Sequence, residues 1–302
     1  MKVLVTGASG LIGSALCDAL LERGDEVVGL SRDPERARGR RPGIVWHRWE
    51  PTLERPPATA FDGVDGVVHL LGEPIDQRWT KDAKERIMET RRTGTRNLVG
   101  AIAGLERKPA VLVSQSAVGF YGDRGDVVLD ESAPPGGESF DSKVVQTWEE
   151  AAREVKASGV RLVIARTGIV LDAHHGFLAE LLTPFKLGVG GPLAGGAQYL
   201  SWIHIDDEVG LLLWALDNDA VSGVVNATAP NPVTNKEFSK ALGRALGRPA
   251  IVPVPGLVLD LKFGSEFGKV LRGGQRVVPK RAQELGFEFK HPDLDEALVD
   301  LV

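Results

Sequence analysis

The sequence predicts an α/β protein built on a doubly wound parallel sheet, with a smaller C-terminal region packed against it. Three observations predict this class. Short apolar runs alternate with amphipathic segments over about the first 170 residues, and glycines at positions 7, 10 and 13 follow the first run. After residue 171 the alternation is lost. Strands that alternate with helices form parallel sheets covered by helices on both faces.

Six apolar runs are the predicted strands. Each is five to seven residues long and lacks regular polar alternation, which is typical of strands buried on both faces. They are KVLVT (2–6), EVVGL (26–30), IVWHRW (44–49), GVVHLL (66–71), AVLVS (110–114) and VRLVIAR (160–166).

Helical patterns lie between several of these runs, at 11–23, 81–104 and 147–158. Strand–helix–strand units of this kind build a Rossmann-type sheet, so residues 1–170 are predicted to form a nucleotide-binding domain. Residues 171–302 contain the glycine-rich segment GVGGPLAGGAQ (188–198) and a further helical pattern at 235–247. They are predicted to form a smaller substrate-pocket region, partly interleaved with the core.

Composition excludes several classes of protein. The net charge of −5 would repel a nucleic acid backbone, and no apolar stretch approaches the ~18 residues of a membrane span. The apolar run after Met1 is broken at Gly7, so no signal peptide is expected. Cys17 is the only cysteine, which excludes an internal disulfide and C-x-x-C metal sites. We expect a cytoplasmic protein; a homodimer is compatible with the sequence but leaves no signal in it.

The glycines form the pattern G-x-x-G-x-x-G between the first strand and the first helix. Such a turn lets the backbone approach a pyrophosphate, which is then held by amides at the start of the helix. The alternative is a tight strand–helix turn without a ligand. The surrounding strand–helix–strand frame favours dinucleotide binding. The predicted contacts are Gly7, Gly10, Leu11, Ile12 and Gly13.

The end of the second strand favours NADP over NAD. An acidic residue there would bind a ribose hydroxyl, whereas an arginine accommodates a 2′-phosphate. Ser31 and Arg32 occupy this place, with further arginines at 36, 38, 40 and 41. A hydroxyl beside a guanidinium suits a phosphate. A solvated basic loop is the alternative, and Asp33 could instead take the hydroxyl.

Several motifs resemble those of the extended short-chain dehydrogenase/reductases, in the NAD-dependent epimerase/dehydratase superfamily. These are VVHLLG (67–72), SQSAVGFYG (114–122) and SWIHIDD (201–207). A longer ordered set resembles the atypical, YfcH-like epimerase family and covers nearly the whole chain. It consists of GEPI (72–75), RWT (78–80), GFYGDRGD (119–126), GGPLAGG (190–196), NATAPNPVTNKEF (226–238) and GQRVVPKRAQELGF (274–287).

The resemblance implies an NADP-binding fold and carries further residues into the predicted site. Ser31 and Arg32 match 2′-phosphate contacts, and Arg91 matches an arginine that approaches the cofactor. Val170 matches a residue near the nicotinamide end. Leu70, Leu71 and Gly72 match the cofactor contacts that follow the fourth strand.

The usual proton donor of the superfamily is missing. Short-chain dehydrogenases use a Tyr-x-x-x-Lys pair with a serine, but neither Tyr121 nor Tyr199 has a lysine four positions later. Phe140 stands in the expected window, and Lys143 follows it by three positions. Ser116 and Tyr121 remain the candidate catalytic residues. Their alternatives are a serine that satisfies the backbone and an aromatic ring packed at the pocket rim.

Other polar residues near the predicted pocket have both a functional and a structural interpretation. Glu73 could act as an acid or base, or its carboxylate could cap a loop. Lys143 could contact the ribose hydroxyls, or it could be a solvated helix residue. Arg78, Trp79 and Arg91 could clamp an anion, whereas Arg166 suits a structural ion pair. No metal site is expected, because His174 and His175 have no partner at ligand spacing.

Two functions follow from these observations. The first is an NADP-dependent oxidoreductase or epimerase-like enzyme that transfers a hydride to or from a small carbonyl or alcohol compound. The second is a regulatory or redox-sensing protein that binds NADP(H) without turnover, as the missing Tyr-Lys pair suggests. The retained glycine-rich pocket region favours the first.

Overall fold

The computed structural model describes residues 1–302. The strands are β1 (Lys2–Thr6), β2 (Glu26–Ser31), β3 (Val45–Arg48), β4 (Gly66–His69), β5 (Val111–Ala117), β6 (Val128–Leu129), β7 (Arg161–Thr167), β8 (Ile169–Leu171), β9 (Tyr199–Leu200), β10 (Trp202–His204), β11 (Gly223–Ala227), β12 (Val233–Thr234) and β13 (Arg276–Val277). The helices are α1 (Leu11–Glu22), α2 (Pro34–Arg40), α3 (Lys81–Ala103), α4 (Phe140–Arg153), α5 (Gly176–Lys186), α6 (Ile205–Asp217), α7 (Asn235–Ala245), α8 (Gly256–Phe263), α9 (Ser265–Arg272), α10 (Lys280–Glu284) and α11 (Leu294–Leu301).

Seven strands form one parallel sheet in the order β11-β7-β5-β4-β1-β2-β3. The predicted Rossmann-type α/β fold is therefore confirmed, and each of the six predicted strands is present. The strand order reverses between β4 and β1. In open sheets of this type, ligands bind at the carboxyl ends of the strands beside such a reversal.

The sheet is buried on both faces, as its uninterrupted apolar strands predict. Along β1, Val3 and Val5 belong to one hydrophobic cluster, and Leu4 belongs to a second. Successive side chains of a strand point to opposite faces, so the two clusters lie on the two sides of the sheet. Helices α1 and α6 contact each other, as do α3 and α4.

The region after residue 171 has its own core and also completes the sheet. Trp202 and Phe238 are fully buried in a third cluster that includes residues from α5, α7 and α11. Strand β11, at Gly223–Ala227, pairs with β7 and adds the seventh strand to the large sheet. The chain therefore returns to the nucleotide-binding sheet well beyond the predicted boundary at residue 170.

Helix α4 differs most from its predicted bounds. It begins at Phe140, whereas the pattern predicts a helix from 147 to 158, and residues 154–158 form a 3₁₀ turn. Val144, Val145 and Trp148 are buried at helical spacing. Polar residues in the first turn of α4 interrupt this apolar pattern, so it does not extend back to Phe140 in the sequence. No helix combines the length and apolar character that crossing a membrane requires.

Candidate functional site

The glycine loop after β1 has a geometry that only glycine allows. Gly7 has a φ of +68°, and a Cβ there would lie 2.8 Å from the backbone oxygen of Leu70. A Cβ on Gly13 would lie 2.2 Å from the backbone oxygen of Gly7. Gly10 caps α1 without a side-chain hydrogen bond, so the first amides of the helix have no side-chain partner. The loop thus brings α1 close to the sheet and leaves donors for an anion.

A cleft of about 750 Å³ opens beside this loop, at the carboxyl ends of β1, β2 and β4. We call it the arginine cleft. Its wall is formed by the end of β2, helix α2, the loop after β3, the loop after β4 and the start of α3. The lining residues are Gly7, Ser9, Leu30, Ser31, Arg32, Asp33, Arg36, Ala37, Arg40, Trp49, Glu50, Pro51, Thr52, Leu53, Leu71, Gly72, Glu73, Pro74, Glu85, Arg86, Glu89 and Thr90.

The arginines around α2 divide into paired and unpaired groups. Arg38 forms an ion pair with Glu35 at 3.0 Å, and Arg41 forms one with Asp18 at 2.6 Å. Arg32, Arg36 and Arg40 line the cleft instead, and the structure contains no ion pair to any of them. Five carboxylates also line the cleft, but apart from Asp33, which caps α2, they belong to the loops after β3 and β4 and to α3. Guanidinium groups without an ion pair on the β2–α2 wall favour an anion with several acceptor oxygens, such as a phosphate.

The side chains of the two residues on either side of Arg32 already form hydrogen bonds within the protein. The Ser31 hydroxyl donates to the backbone oxygen of Asp33 at 3.1 Å and accepts its amide at the same distance. Asp33 caps α2, because its Oδ1 accepts the amide of Arg36 at 3.0 Å. The Asp33 carboxylate was the alternative partner for a ribose hydroxyl, and one of its two oxygens is thus already used to cap α2.

The predicted cofactor residues fall into three places. Gly7, Ser31, Arg32, Leu71 and Gly72 line the arginine cleft. Gly10, Leu11, Ile12 and Gly13 form the adjoining loop and first turn of α1, and Leu70 precedes Leu71 in the loop after β4. Val170 and Arg91 lie outside the cleft lining. Sequence analysis did not separate Arg36 and Arg40, which line the cleft, from the other arginines of this segment. Their spacing of four on a helix could have indicated that they share a face.

Arg91 supports the loop after β4 from behind. Its Nη1 donates to the backbone oxygen of Glu73 at 2.9 Å, and its guanidinium carbon lies 4.9 Å from the centre of the Trp148 ring. A Cβ on Gly72 would lie 2.8 Å from the guanidinium. Burial lowers the pKa of Arg91 to about 10. The side chain therefore positions Gly72 and Glu73 from the protein side of the loop. Val170 is part of β8 and buried.

Ser116 and Tyr121 belong to a buried polar network. The Ser116 hydroxyl donates to Glu149 Oε1 at 2.7 Å, and Arg166 donates to both carboxylate oxygens of Glu149 at 2.7 and 2.9 Å. Arg166 also donates to the Tyr121 hydroxyl at 3.0 Å, and that hydroxyl donates to Asn226 Oδ1 at 2.7 Å.

Both candidate catalytic hydroxyls are thus engaged by protein partners. Tyr121 is 0 % exposed and Ser116 is 2 % exposed. Burial raises the pKa of the Tyr121 hydroxyl, whereas a catalytic tyrosine requires a lowered one. This arrangement favours the structural interpretation of both hydroxyls over proton transfer. The ion pair expected for Arg166 is present.

A second cleft, of about 620 Å³, lies near the start of α4. We call it the Trp79 cleft. The Trp79 and Phe140 rings meet edge to face at 4.9 Å between centroids, so Phe140 occupies the expected tyrosine window as a packing residue. The lining residues are Trp79, Lys84, Asp123, Glu138, Ser139, Phe140, Asp141, Lys143, Glu266, Lys269, Val270, Gly273 and Gln275.

The remaining polar candidates form local contacts. Lys143 pairs with Glu138 at 2.5 Å, and Glu73 pairs with Arg86 at 3.2 Å. Arg78 donates to the backbone oxygen of Leu261 at 2.7 Å, which ties the loop before α3 to α8. Trp79 donates from Nε1 to the backbone oxygen of Ile75 at 2.9 Å. Arg78 and Trp79 therefore order the segment between the two clefts.

His204, His291 and Asp300 are distant in sequence but lie together in the structure. One possible metal-ligand atom of each lies within 4.8 Å of the others. The two rings stack with centroids 3.8 Å apart and planes 25° from parallel. Ring nitrogen lone pairs lie in the ring plane, so these rings do not converge on one ion. Burial lowers the pKa of His204, which favours its neutral form. The cluster instead joins the start of α6 to α11.

Comparisons with known proteins agree with this architecture. A family model described as the NAD dependent epimerase/dehydratase family matches residues 3–227. A second, described as a domain of unknown function (DUF1731), matches residues 254–301. The human epimerase family protein SDR39U1 is 36% identical over 305 residues and covers 100% of both chains. The Bacillus subtilis epimerase family protein YfhF is 34% identical and covers 100% of this chain and 98% of its own.

Two solved structures extend the comparison. The crystal structure of human SDR39U1 (isoform 2) with NADPH matches with a TM-score of 0.90, covering 100% of this chain and 99% of that one. A nucleoside-diphosphate sugar epimerase from Corynebacterium glutamicum is 32% identical, with a TM-score of 0.80. That match covers 100% of this chain and 58% of the other.

Proposed function

The chain belongs to the NAD dependent epimerase/dehydratase family, and on that premise we propose that it is an NADP(H)-dependent oxidoreductase or epimerase-like enzyme. It acts on a small carbonyl or alcohol compound. When bound, the nicotinamide supplies or accepts a hydride, and the protein binds and orients both partners.

The unpaired arginines of the arginine cleft are the observation that carries the choice of NADP. Arg32, Arg36 and Arg40 face the cleft without an ion pair, while Arg38 and Arg41 in the same segment are paired. The 2′-phosphate of NADP would compensate this charge, and the 2′-hydroxyl of NAD would not. The structure of human SDR39U1 with NADPH supports the same choice.

The glycine loop fits the rest of the cofactor. Backbone amides of Leu11, Ile12 and Gly13 would hold the pyrophosphate, because no side chain caps the start of α1. Gly10 would line the approach to it, since its own amide donates to the Gly7 oxygen at 2.9 Å. Leu70, Leu71 and Gly72 would bound the cofactor where it crosses from β1 to β4. Val170, in β8, would lie toward the nicotinamide end. Residues 1–170 would thus form most of the nucleotide site, and residues 171–302 would contribute to the substrate pocket.

A thermal-shift titration of the wild-type protein with NADPH, NADP⁺, NADH and NAD⁺ tests the cofactor. A ligand at 100 times its Kd adds about 2.7 kcal/mol to the free energy of unfolding. We expect the unfolding temperature to rise with NADPH and NADP⁺ at concentrations where NADH and NAD⁺ have no effect. Equal shifts with all four nucleotides would contradict the proposal.

A second candidate is an NADP(H)-responsive binding protein without turnover. The absence of the Tyr-x-x-x-Lys pair and the packing role of Phe140 favour it. Consumption of NADPH with a panel of ketones and aldehydes, followed at 340 nm, separates the two candidates. Turnover with any member supports the enzyme. Binding of NADPH without turnover, together with a partner whose affinity differs between NADPH and NADP⁺, supports the second candidate.

A further inference from the structure

The Trp79 cleft lies where the second half of a dinucleotide would end. A dinucleotide crosses the strand-order reversal from the β1–β2 side to the β4–β5 side. Gly119 lies two residues after the end of β5, and a Cβ on it would lie 3.7 Å from Asp141 Oδ2. The loop after β4 leads to Trp79, which lines the same cleft. The cleft thus lies near the carboxyl ends of β4 and β5.

Most acidic side chains of this cleft already have partners. Lys84 pairs with Glu266, and Lys143 pairs with Glu138. Asp123 accepts the amide of Gly125 at 3.1 Å and that of Gly274 at 3.5 Å. The exception among the carboxylates is Asp141.

Asp141 is a buried carboxylate without a hydrogen-bond partner. It is 7 % exposed, and the structure contains no hydrogen bond or ion pair to either oxygen. Its Oδ1 is fully enclosed. A buried polar group in this state is costly, and such exceptions in native structures mark strain, catalysis or a missing ligand. Its place in the first turn of α4 offsets part of that cost through the helix dipole.

We propose that Asp141 is the catalytic carboxyl group that contacts the substrate in the Trp79 cleft. This inference rests on the proposed function. The substrate is a secondary alcohol, or the corresponding ketone, with an apolar face toward Trp79 and Phe140. In the oxidising direction the hydroxyl proton passes to Asp141 Oδ2, the carboxylate oxygen that is not enclosed, and the carbinol C–H bond breaks with its electron pair leaving as hydride to NADP⁺. The C=O bond forms. Reduction returns the proton from Asp141 to the oxygen and the hydride from NADPH to the carbon.

The test compares Asp141→Asn with Glu150→Gln, a control carboxylate on the exposed side of the same helix. Three quantities are measured: the unfolding temperature without ligand, the Kd for NADPH, and turnover of the ketone and aldehyde panel. Asp141→Asn is expected to unfold at or above the wild-type temperature, because it removes an unpaired buried charge. Its NADPH affinity should stay within about twofold of wild type, while kcat falls about 100-fold. Glu150→Gln should match the wild type throughout.

The failure of the proposal for Asp141 can be distinguished from the failure of the proposed function. Wild-type kcat in Asp141→Asn overturns the proposal for Asp141 and leaves the proposed function standing, and a lowered unfolding temperature with unchanged kcat assigns Asp141 to structure alone. No NADPH binding, or no turnover by the wild type, overturns the proposed function and this inference with it. If Asp141→Asn does not fold, Asp141→Ser, which also removes the charge, is measured in the same way.

Discussion

The arginine cleft and the Trp79 side of the molecule differ in how many of their cationic side chains form ion pairs. In the arginine cleft, three guanidinium groups have no ion pair. On the other side, two of the three lysines that line the Trp79 cleft, Lys84 and Lys143, are paired. Behind them Arg166 and Glu149 form a buried pair. Paired charges stabilise the fold or contribute little, whereas several unpaired guanidinium groups on one segment favour an anionic ligand. Substitutions on the two sides should therefore affect different measurements.

Glu149→Gln should produce the largest effect, and it should be an effect on folding. The Glu149 carboxylate is 1 % exposed and accepts from Ser116, Arg153 and Arg166. Removing one member of a buried ion pair leaves the other charge uncompensated, which costs about 3–5 kcal/mol. Urea unfolding measures this loss, with Glu150→Gln as the control. Folded Glu149→Gln should bind NADPH as the wild type does. A loss of binding without a loss of stability would contradict the division between the two sides.

Arg32→Ala should affect binding and leave stability nearly unchanged. A hydrogen bond to a charged group contributes about 1.5–3 kcal/mol, so NADPH affinity should fall about 10- to 100-fold. Affinity for NADH should stay the same, because NADH lacks the 2′-phosphate. Isothermal titration calorimetry measures both.

Arg38→Ala is the matched control for Arg32→Ala. Arg38 lies in the same segment but pairs with Glu35 and does not line the cleft. It should lower NADPH affinity only slightly, through the loss of one nearby charge. Equal losses in the two variants would show that the basic segment acts as a diffuse charge rather than as a built site. Arg36→Ala and Arg40→Ala would then locate any remaining specificity.

The parts of the fold set by local sequence were predictable. The apolar runs of β1 to β5 and β7 are uninterrupted, so burial on both faces follows from composition alone. Strand β11 was missed because its short run, GVVNA, lies in an irregular region, and its pairing with β7 joins residues far apart in sequence. The first two turns of α4 were missed because two of their buried residues, Asp141 and Ser142, are polar and break the apolar spacing.

The candidate site shows the same division between features set by local sequence and features set by contacts between distant residues. Ser31 and Arg32 were predictable because they lie at the carboxyl end of a strand, where a ligand binds in this fold. The pairing of Arg41 with Asp18, which separates it from Arg32, joins α2 to α1 and has no local signal. The isolation of Asp141 is less predictable still. Lys143 is only two positions away, but side chains at that spacing on a helix do not face each other, and Lys143 pairs with Glu138.

Lys143→Ala should produce the smallest effect and so marks the lower bound of the comparison. Its ion pair with Glu138 is exposed, with 52% and 91% of the two side chains accessible. Exposed pairs contribute about 0–1 kcal/mol, so urea unfolding should detect little change. NADPH affinity should also match the wild type, because Lys143 is paired with Glu138 and does not line the arginine cleft, where the 2′-phosphate would bind. A large loss of NADPH affinity would mean that Lys143 reaches the ribose after all. The charges on the Trp79 side would then serve binding as those of the arginine cleft do.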